Sequence, residues 1–336
     1  MMRKALQIVI PTYNRTVQLQ ETINSVSRLF NSRIGDQICA DIFDNSDKNI
    51  QIANERIIPK NIGYHKNENN LGYAGNVKRC LSANDAEYIW LISDDDKLNI
   101  DNIIFLLDNL NKLPDEVCGV SLNYEVPNIF TGEYDLVSCL MRRDFETEIF
   151  QNVLYPDKIP FDFISGFIIK SSVLRRIDIL NISDENLYMQ SLIYCIALEP
   201  TDLIAFFECP LVKWKGDDSL RWPILRLFYD REIIRKILKE RHNVVLNNTK
   251  LVRSLLKWAL LCKIGVVKNA SIEKDRKNLF WRVNKSFNLL NYFLSVLLLL
   301  PNVFSNKCIS IGFSLYGKRT IPRDMLRKFY YKIKNS

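Results

Sequence analysis

The chain has 336 residues, a formal net charge of +8, 47% hydrophobic and 25% charged residues. That length supports one large domain, or one domain with a helical appendage, and the apolar content excludes wholesale disorder. Eleven Gly and eleven Pro exclude collagen-like and low-complexity classes, and two His argue against a histidine-rich metal site.

Residues 6–10, Leu-Gln-Ile-Val-Ile, form an apolar run whose length and branching predict a buried parallel strand, with Pro11 expected to end its pairing. Residues 16–30 place Val17, Leu19, Ile23, Val26 and Leu29 at helical spacing. Residues 38–43 predict a second strand, followed by the turn formers Asp44, Asn45, Ser46 and Asp47. A helix is expected over 74–84 and a third strand over 87–92, with Ser93-Asp94-Asp95-Asp96 directly after it. Further helices are expected over 101–112 and 186–199, a strand or strand-turn over 161–170, and a strand over 203–214. Alternating strands and helices predict an α/β domain on a mostly parallel, Rossmann-like sheet with flanking helices. Ligands bind such sheets beyond the C-terminal strand ends. Three polar clusters, Thr12-Tyr13-Asn14, Asp44 to Asp47 and Asp94 to Asp96, are therefore expected along one rim.

Charge divides the chain. Residues 1–220 carry 21 Lys and Arg against 32 Asp and Glu, and residues 221–336 carry 25 against 6. The first part is expected to be the catalytic or ligand-binding domain. The second, a basic helical region, should prefer an anionic surface. The eight cysteines include no C-x-x-C pair, and no secretory signal opens the sequence, so they read as reduced thiols in a cytoplasmic protein.

Three successive Asp repel one another unless they are solvated or share a cation. A hard divalent ion, Mg²⁺ or Mn²⁺, suits carboxylates and commonly takes one or two of them together with substrate phosphates. Alone, the triplet also reads as a solvated turn and helix cap. The apolar strand before it and the two companion clusters favour a binding site.

These residues together resemble the family 2 glycosyltransferases of the GT-A fold, of the bacterial surface-polysaccharide type. Ile8-Val9-Ile10-Pro11-Thr12-Tyr13-Asn14-Arg15 is similar to the family's first strand and loop, and Asp44-Asn45-Ser46 to its second motif. Asn70-Leu71-Gly72-Tyr73-Ala74-Gly75-Asn76 is similar to its N-x-G-x-x-x-N segment, and Trp90 to Asp96 to its D-x-D motif. The resemblance is strong over about residues 6–112 and weaker to about 215. It implies inverting transfer of a sugar from a nucleotide-diphosphate donor to an acceptor hydroxyl. On that basis Pro11, Thr12, Tyr13 and Asp44 hold the base and ribose, and Asn70 and Asn76 border the nucleotide. Asp94 and Asp95 approach the donor, Asp96 with Asp94 holds the metal, and Lys78 or Arg79 adds charge beside the phosphates. The family's general base corresponds to Asp184 or Glu185, with Tyr188 and Gln190 as other alignments and Asp162 and Asp217 in reserve. Trp214 to Ser219 is expected to be a flap over the sugar.

Past Trp222-Pro223 the pattern is helical and basic. Leu251, Leu255, Trp258, Cys262 and Val266 fall on one stripe, with Lys250, Arg253, Lys257 and Lys268 toward another. Such a helix suits an anionic bilayer surface, and equally a packed helix with a basic outer face. Ser286 to Asn306 is uncharged, and its Asn residues and Pro301 favour an interfacial or buried helix over a span. Arg319, Arg323, Arg327 and Lys328 continue the positive face. These features fit a peripheral enzyme at the inner membrane face with a lipid-linked saccharide acceptor. Two alternatives remain: a nucleotidyltransferase of related fold, which lacks its Gly- and Lys-rich phosphate loop, and a nucleic-acid-binding module, which lacks any zinc-finger, helix-turn-helix or RNP signature. No nucleic-acid partner is expected.

Overall fold

The structure is a computed structural model. It describes residues 3–83, 85–127, 133–137, 144–154, 163–182, 186–214 and 224–245, and all structural statements concern these. The chain divides into two units. The first comprises residues 1–127, 134–216 and 230–246; the second comprises 128–133, 217–229 and 247–336, nearly all outside the described residues.

The first unit is built on one mixed sheet. Its strands are β1 (Lys4–Thr12), β2 (Ile38–Asp44), β3 (Gly63–Lys66), β4 (Ala86–Leu91), β5 (Asp96–Leu98), β6 (Val117–Pro127), β7 (Tyr134–Val137), β8 (Thr147–Ile149), β9 (Phe167–Lys170) and β10 (Leu203–Trp214). Their order is β3-β2-β1-β4-β9-β6-β10-β5, with β7 beside β6 and β8 beside β10. β3, β2, β1 and β4 run parallel, as do β6 and β10. β9 runs antiparallel to both β4 and β6, and β5 antiparallel to β10.

Side chains alternate across the sheet with the two-residue period of a strand. Ile8 and Ile10 of β1, Ile42 of β2 and Trp90 of β4 face one core, covered by the helices Thr16–Phe30 and Ile100–Leu110. Val9, Phe43, Ile89 and Leu91 face the other, covered by Gly72–Ser82 and Met189–Ala197. Both faces are buried, which is why these strands read as continuous apolar runs. The four expected helices and the strands over 6–10, 38–43 and 87–92 form where the pattern places them. Of residues 161–170, a turn and β9 are described.

The strands β3, β5, β6, β7 and β8 were not anticipated, and other features also depart from the sequence reading. Pro11 does not end β1, which pairs with β2 through Pro11↔Phe43 and Thr12↔Asp44. The β1–β4 register ends at Val9↔Leu91, and Ile92 N–H donates to Val9 O. Backbone groups alternate sides along a strand, so the missing N–H of Pro11 falls on the β4 side, past the end of that ladder. β10 fills the expected 203–214 and passes through Pro210, with a register shift between Phe207 and Val212. The helix Lys48–Ile57 was not anticipated; its buried residues are the polar Gln51 and Asn54, so it does not read as a core helix.

Past residue 220, the helix Ile224–His242 sets Ile234 and Leu238 into the second core. Asp230 Oδ2 accepts from Leu187 N–H at 2.7 Å, and the His242 ring bonds Cys195 O at 2.8 Å. The tail positions from Lys250 onward lie outside the described residues. No helix among the described residues is long and apolar enough to cross a membrane.

Candidate active site

The parallel register brings the three polar clusters to one rim. β1 and β2 end level at Thr12 and Asp44, and Asn45 N–H donates to Thr12 O at 3.0 Å. β4 ends at Leu91, and the acidic triplet follows within three residues. Thr12 then spans 82 positions of sequence to donate its hydroxyl to Asp94 Oδ2 at 2.7 Å.

The triplet is held from four directions. Arg15 Nη1 lies 2.9 Å from Asp94 Oδ1 and 3.0 Å from Asp95 Oδ2. Thr22, on the helix after that loop, places its hydroxyl 2.9 Å from Asp94 O and 3.2 Å from Asp96 O. Ser93 Oγ donates to Asp95 Oδ1 at 2.5 Å, and Ser93 N–H to Asp96 Oδ2 at 3.1 Å. Ser165 Oγ also donates to Asp96 Oδ2 and accepts from Ser93 N–H at 3.1 Å. Antiparallel pairing explains Ser165: Trp90↔Ile168 sets the residues before β9 against the residues after β4, and Trp90 Nε1 donates to Ser165 O at 2.9 Å.

Burial changes the acidity of these groups. Desolvation pushes the Asp94 carboxyl up to about 6, against the opposing effects of Arg15 and Thr12. Desolvation pushes Asp96 up to about 8, with its Ser165 bond opposing the shift. For Arg15, desolvation acts downward, but the charges of Asp94 and Asp95 outweigh it and raise the guanidinium.

Asp96 Oδ1 is buried and has no hydrogen-bond partner. A buried carboxylate oxygen without a donor is costly, and a bound cation would both satisfy it and favour the ionised form. Among the described residues no group of three or more His, Cys, Asp or Glu is arranged to hold a metal. Two carboxylates of the triplet fit a divalent ion that takes its remaining ligands from substrate phosphates and water.

Asp44 is fully buried and already braced. Its carboxylate accepts from Ser46 N–H at 2.8 Å, Asn54 Nδ2 at 2.7 Å and the Tyr64 hydroxyl at 2.6 Å. The asparagines form a second brace. Asn45 Nδ2 donates to Asn70 Oδ1 at 2.6 Å, Asn67 Nδ2 lies 2.9 Å from Asn45 Oδ1 and 3.0 Å from Asn76 Oδ1, and Asn76 Nδ2 donates to Phe43 O at 2.9 Å. Asn70 and Asn76 thus fix the turn after β2. Asn14, in the left-handed region at φ 53°, ties the first loop to the second: its N–H donates to Ser46 Oγ at 2.7 Å and its Nδ2 to Asp47 Oδ2 at 3.0 Å. Pro11 is half-buried at the rim, and Tyr13 is 47% exposed.

Lys78, expected beside the phosphates, is buried. Its ammonium donates to Leu180 O at 3.0 Å and Ile182 O at 3.1 Å, anchoring the turn before the helix Met189–Ala197. Two residues past Asn76 on a helix, it faces another direction. Arg79 lies over the Phe43 ring and bonds Asn67 Oδ1. Asp184, Glu185, Asp162 and Asp217 lie outside the described residues. Gln190 is buried and accepts from the Tyr73 hydroxyl at 3.0 Å. Arg15, Thr22 and Ser165 are the site residues that sequence reasoning missed.

No curated protein matches the chain. Among solved structures it is similar to S. aureus TarS, with TM-score 0.55 at 11% identity over 97% of this chain and 54% of that one. The chain thus spans about half the length of that TarS chain. Against TarS 1-349 the TM-score is 0.53 at 12% identity, over 99% and 90% of the two chains. Against TarS 1-349 in complex with UDP-GlcNAc it is 0.54 at 11%, over 99% and 91%. At these identities the likeness is one of fold. The family model described as glycosyl transferase family 2 matches residues 7–178, just over half the chain. The ends of β1, β2 and β4 that carry Thr12, Asp44 and the acidic triplet to one rim of this GT-A sheet lie within that span, and the chain belongs to glycosyl transferase family 2.

Proposed function

We propose that this enzyme moves one sugar, with inversion, from a nucleoside-diphosphate donor to an acceptor hydroxyl on a lipid-linked saccharide of a bacterial surface polysaccharide. The observation that carries this reading is the Thr12–Asp94 bond, 2.7 Å long, between the last residue of β1 and the loop after β4. It joins the end of β1 to the acidic triplet at the strand ends where α/β sheets bind ligands.

In this reading Pro11, Tyr13 and Asp44 border the base and ribose, with Asn70 and Asn76 keeping the second loop in place. Asp94 and Asp96 would hold Mg²⁺ or Mn²⁺, which would supply positive charge against the departing diphosphate. Among the described residues, Arg15 is a cation held beside the triplet by its bonds to Asp94 and Asp95. Asp184 or Glu185 takes the acceptor proton. The basic residues beyond 246 hold the enzyme on an anionic bilayer surface at the inner face of the membrane.

A thermal-shift screen of nucleoside diphosphates, each with and without Mn²⁺, tests the donor half, because a ligand of the folded state raises its stability. At least one nucleotide should raise the melting temperature more with Mn²⁺ than without. Asp96→Asn should lose the Mn²⁺-dependent part. Failure of every nucleoside diphosphate to stabilise the protein under either condition overturns the reading.

A further inference from the structure

The triplet Asp94-Asp95-Asp96 has six carboxylate oxygens, and five have an internal partner. Asp94 Oδ1 and Asp95 Oδ2 share one nitrogen, Arg15 Nη1, at 2.9 and 3.0 Å. Asp94 Oδ2 takes the Thr12 hydroxyl, Asp95 Oδ1 the Ser93 hydroxyl, and Asp96 Oδ2 the Ser165 hydroxyl with Ser93 N–H. The sixth, Asp96 Oδ1, is buried. A divalent ion that takes Asp94 Oδ1 or Asp95 Oδ2 must therefore displace Arg15, whereas the other oxygens accept from hydroxyls or, for Asp96 Oδ1, are enclosed by protein.

We propose that Arg15 is a resident counter-ion that closes the acidic triplet to divalent cations until a nucleoside diphosphate draws it away, so that cation and donor bind as a unit. This rests on the functional reading above and assigns a positioning role to Arg15 that the reading does not require.

Three features carry it. A positive guanidinium within 3 Å of Asp94 and Asp95 occupies the approach to both and repels a second cation. Its side chain is 26% exposed, so it is not sealed inside the protein. A diphosphate offers the guanidinium another anionic, doubly accepting partner, so Arg15 exchanges carboxylates for phosphate oxygens without losing charge-assisted hydrogen bonds. The exchange frees Asp94 for the cation, and that cation is also a ligand of the diphosphate. Each partner thus strengthens binding of the other, which linkage requires to be reciprocal.

The test is calorimetric titration of Mn²⁺ into the full chain without nucleotide, for wild type, Arg15→Ala, Arg15→Gln and Arg15→Lys. Wild type and Arg15→Lys should bind Mn²⁺ weakly, in the millimolar range. Arg15→Ala and Arg15→Gln should bind at least tenfold tighter. Should Arg15→Ala lack a cooperative melt, Arg15→Gln, of similar bulk and still able to hydrogen-bond, supplies the same readout. Repeating the titration with a saturating nucleoside diphosphate should tighten Mn²⁺ binding in wild type by more than in the neutral variants. Equal or weaker Mn²⁺ affinity in both neutral variants overturns the proposal, as does micromolar binding by nucleotide-free wild type. If no nucleoside diphosphate binds wild type even with Mn²⁺, the functional reading has failed. If one binds and the four proteins take up Mn²⁺ alike, only the role of Arg15 has.

Discussion

A single hydroxyl, that of Thr12, joins two motifs far apart in sequence. Thr12 is 2% exposed, and its partner Asp94 is a buried carboxylate. Thr12→Val keeps the shape and removes the donor, and leaving a buried acceptor short of a partner costs about 1–3 kcal/mol. The urea midpoint of Thr12→Val should fall accordingly, Thr12→Ser should recover most of it, and Thr12→Val should lose the nucleotide-dependent thermal shift. Unchanged stability in Thr12→Val would mean that this bond does not form. Asp44 makes a different prediction. Three internal donors converge on it, so Asp44→Ala should destabilise the protein by about 2–4 kcal/mol, of the size seen when a buried network is broken. The same arrangement shows what could be read from the sequence at this scale. Asp44, Asp94 and Asp96 stood out because each follows an apolar run. Arg15 did not, because an arginine after a turn looks like any solvated charge until the sheet register sets it beside aspartates 79 and 80 positions away. Ser165 was hidden in the same way, since its place depends on an antiparallel partner of β4 that no local pattern identifies.

Among the elements, those with apolar periodicity were legible and those that bury polar residues were not. The helix Thr16–Phe30 shows its stripe through Leu19, Ile23, Val26 and Leu29. The helix Lys48–Ile57 instead turns Asn54 toward Asp44 and Gln51 toward the carbonyls of Asp44 and Asn67, so the element that supports the site most directly gave little hydrophobic signal. β9 carries its own test. It packs so closely on β6 that a Cβ at Gly119 would lie 2.5 Å from the Phe167 ring and 2.9 Å from the Ile168 carbonyl oxygen. Gly119→Ala should therefore destabilise the protein by about 1–3 kcal/mol as overpacking does, read as a lower urea midpoint. The end of the helix Ile224–His242 carries another. His242 is buried, its Nε2–H donates to Cys195 O, and Nδ1 has no partner. Desolvation holds its pKa below the ordinary 6.5. As pH drops below 6.5 the unfolded chain takes up a proton that the folded chain resists, so stability falls on acidification and is present above 6.5. The loss of urea midpoint from pH 7.5 to pH 5.5 should be smaller in His242→Gln, which can still donate to Cys195 O. An equal loss in both proteins would show that His242 does not titrate in this way.

At the scale of the whole molecule, charge separates the chain into an acidic and a basic part. The family model matches residues 7–178, all of them within the acidic part. Composition made that division legible. The exact point of change was less so, because the helix Ile224–His242 belongs by sequence to the basic part and still buries Ile234 and Leu238 in the first unit's core. The proposed membrane association rests on residues beyond 246, where Lys and Arg alternate with apolar stretches in the sequence. Each Lys or Arg near an anionic surface is worth about 1 kcal/mol, and the attraction fades within a Debye length as salt rises. The full chain should therefore sediment with vesicles containing phosphatidylglycerol and not with neutral phosphatidylcholine vesicles, and release should follow as NaCl is raised. Changing Arg319, Arg323, Arg327 and Lys328 to Glu should weaken vesicle binding at least tenfold. The same variant should keep the wild-type thermal shift with nucleoside diphosphate and Mn²⁺, because none of the four lies in the matched family region. Equal binding to neutral and anionic vesicles would assign the association to apolar insertion instead of charge. Binding to neither would leave the basic part without a membrane role, while a sugar transfer centred on Thr12, Asp94 and Asp96 would stand.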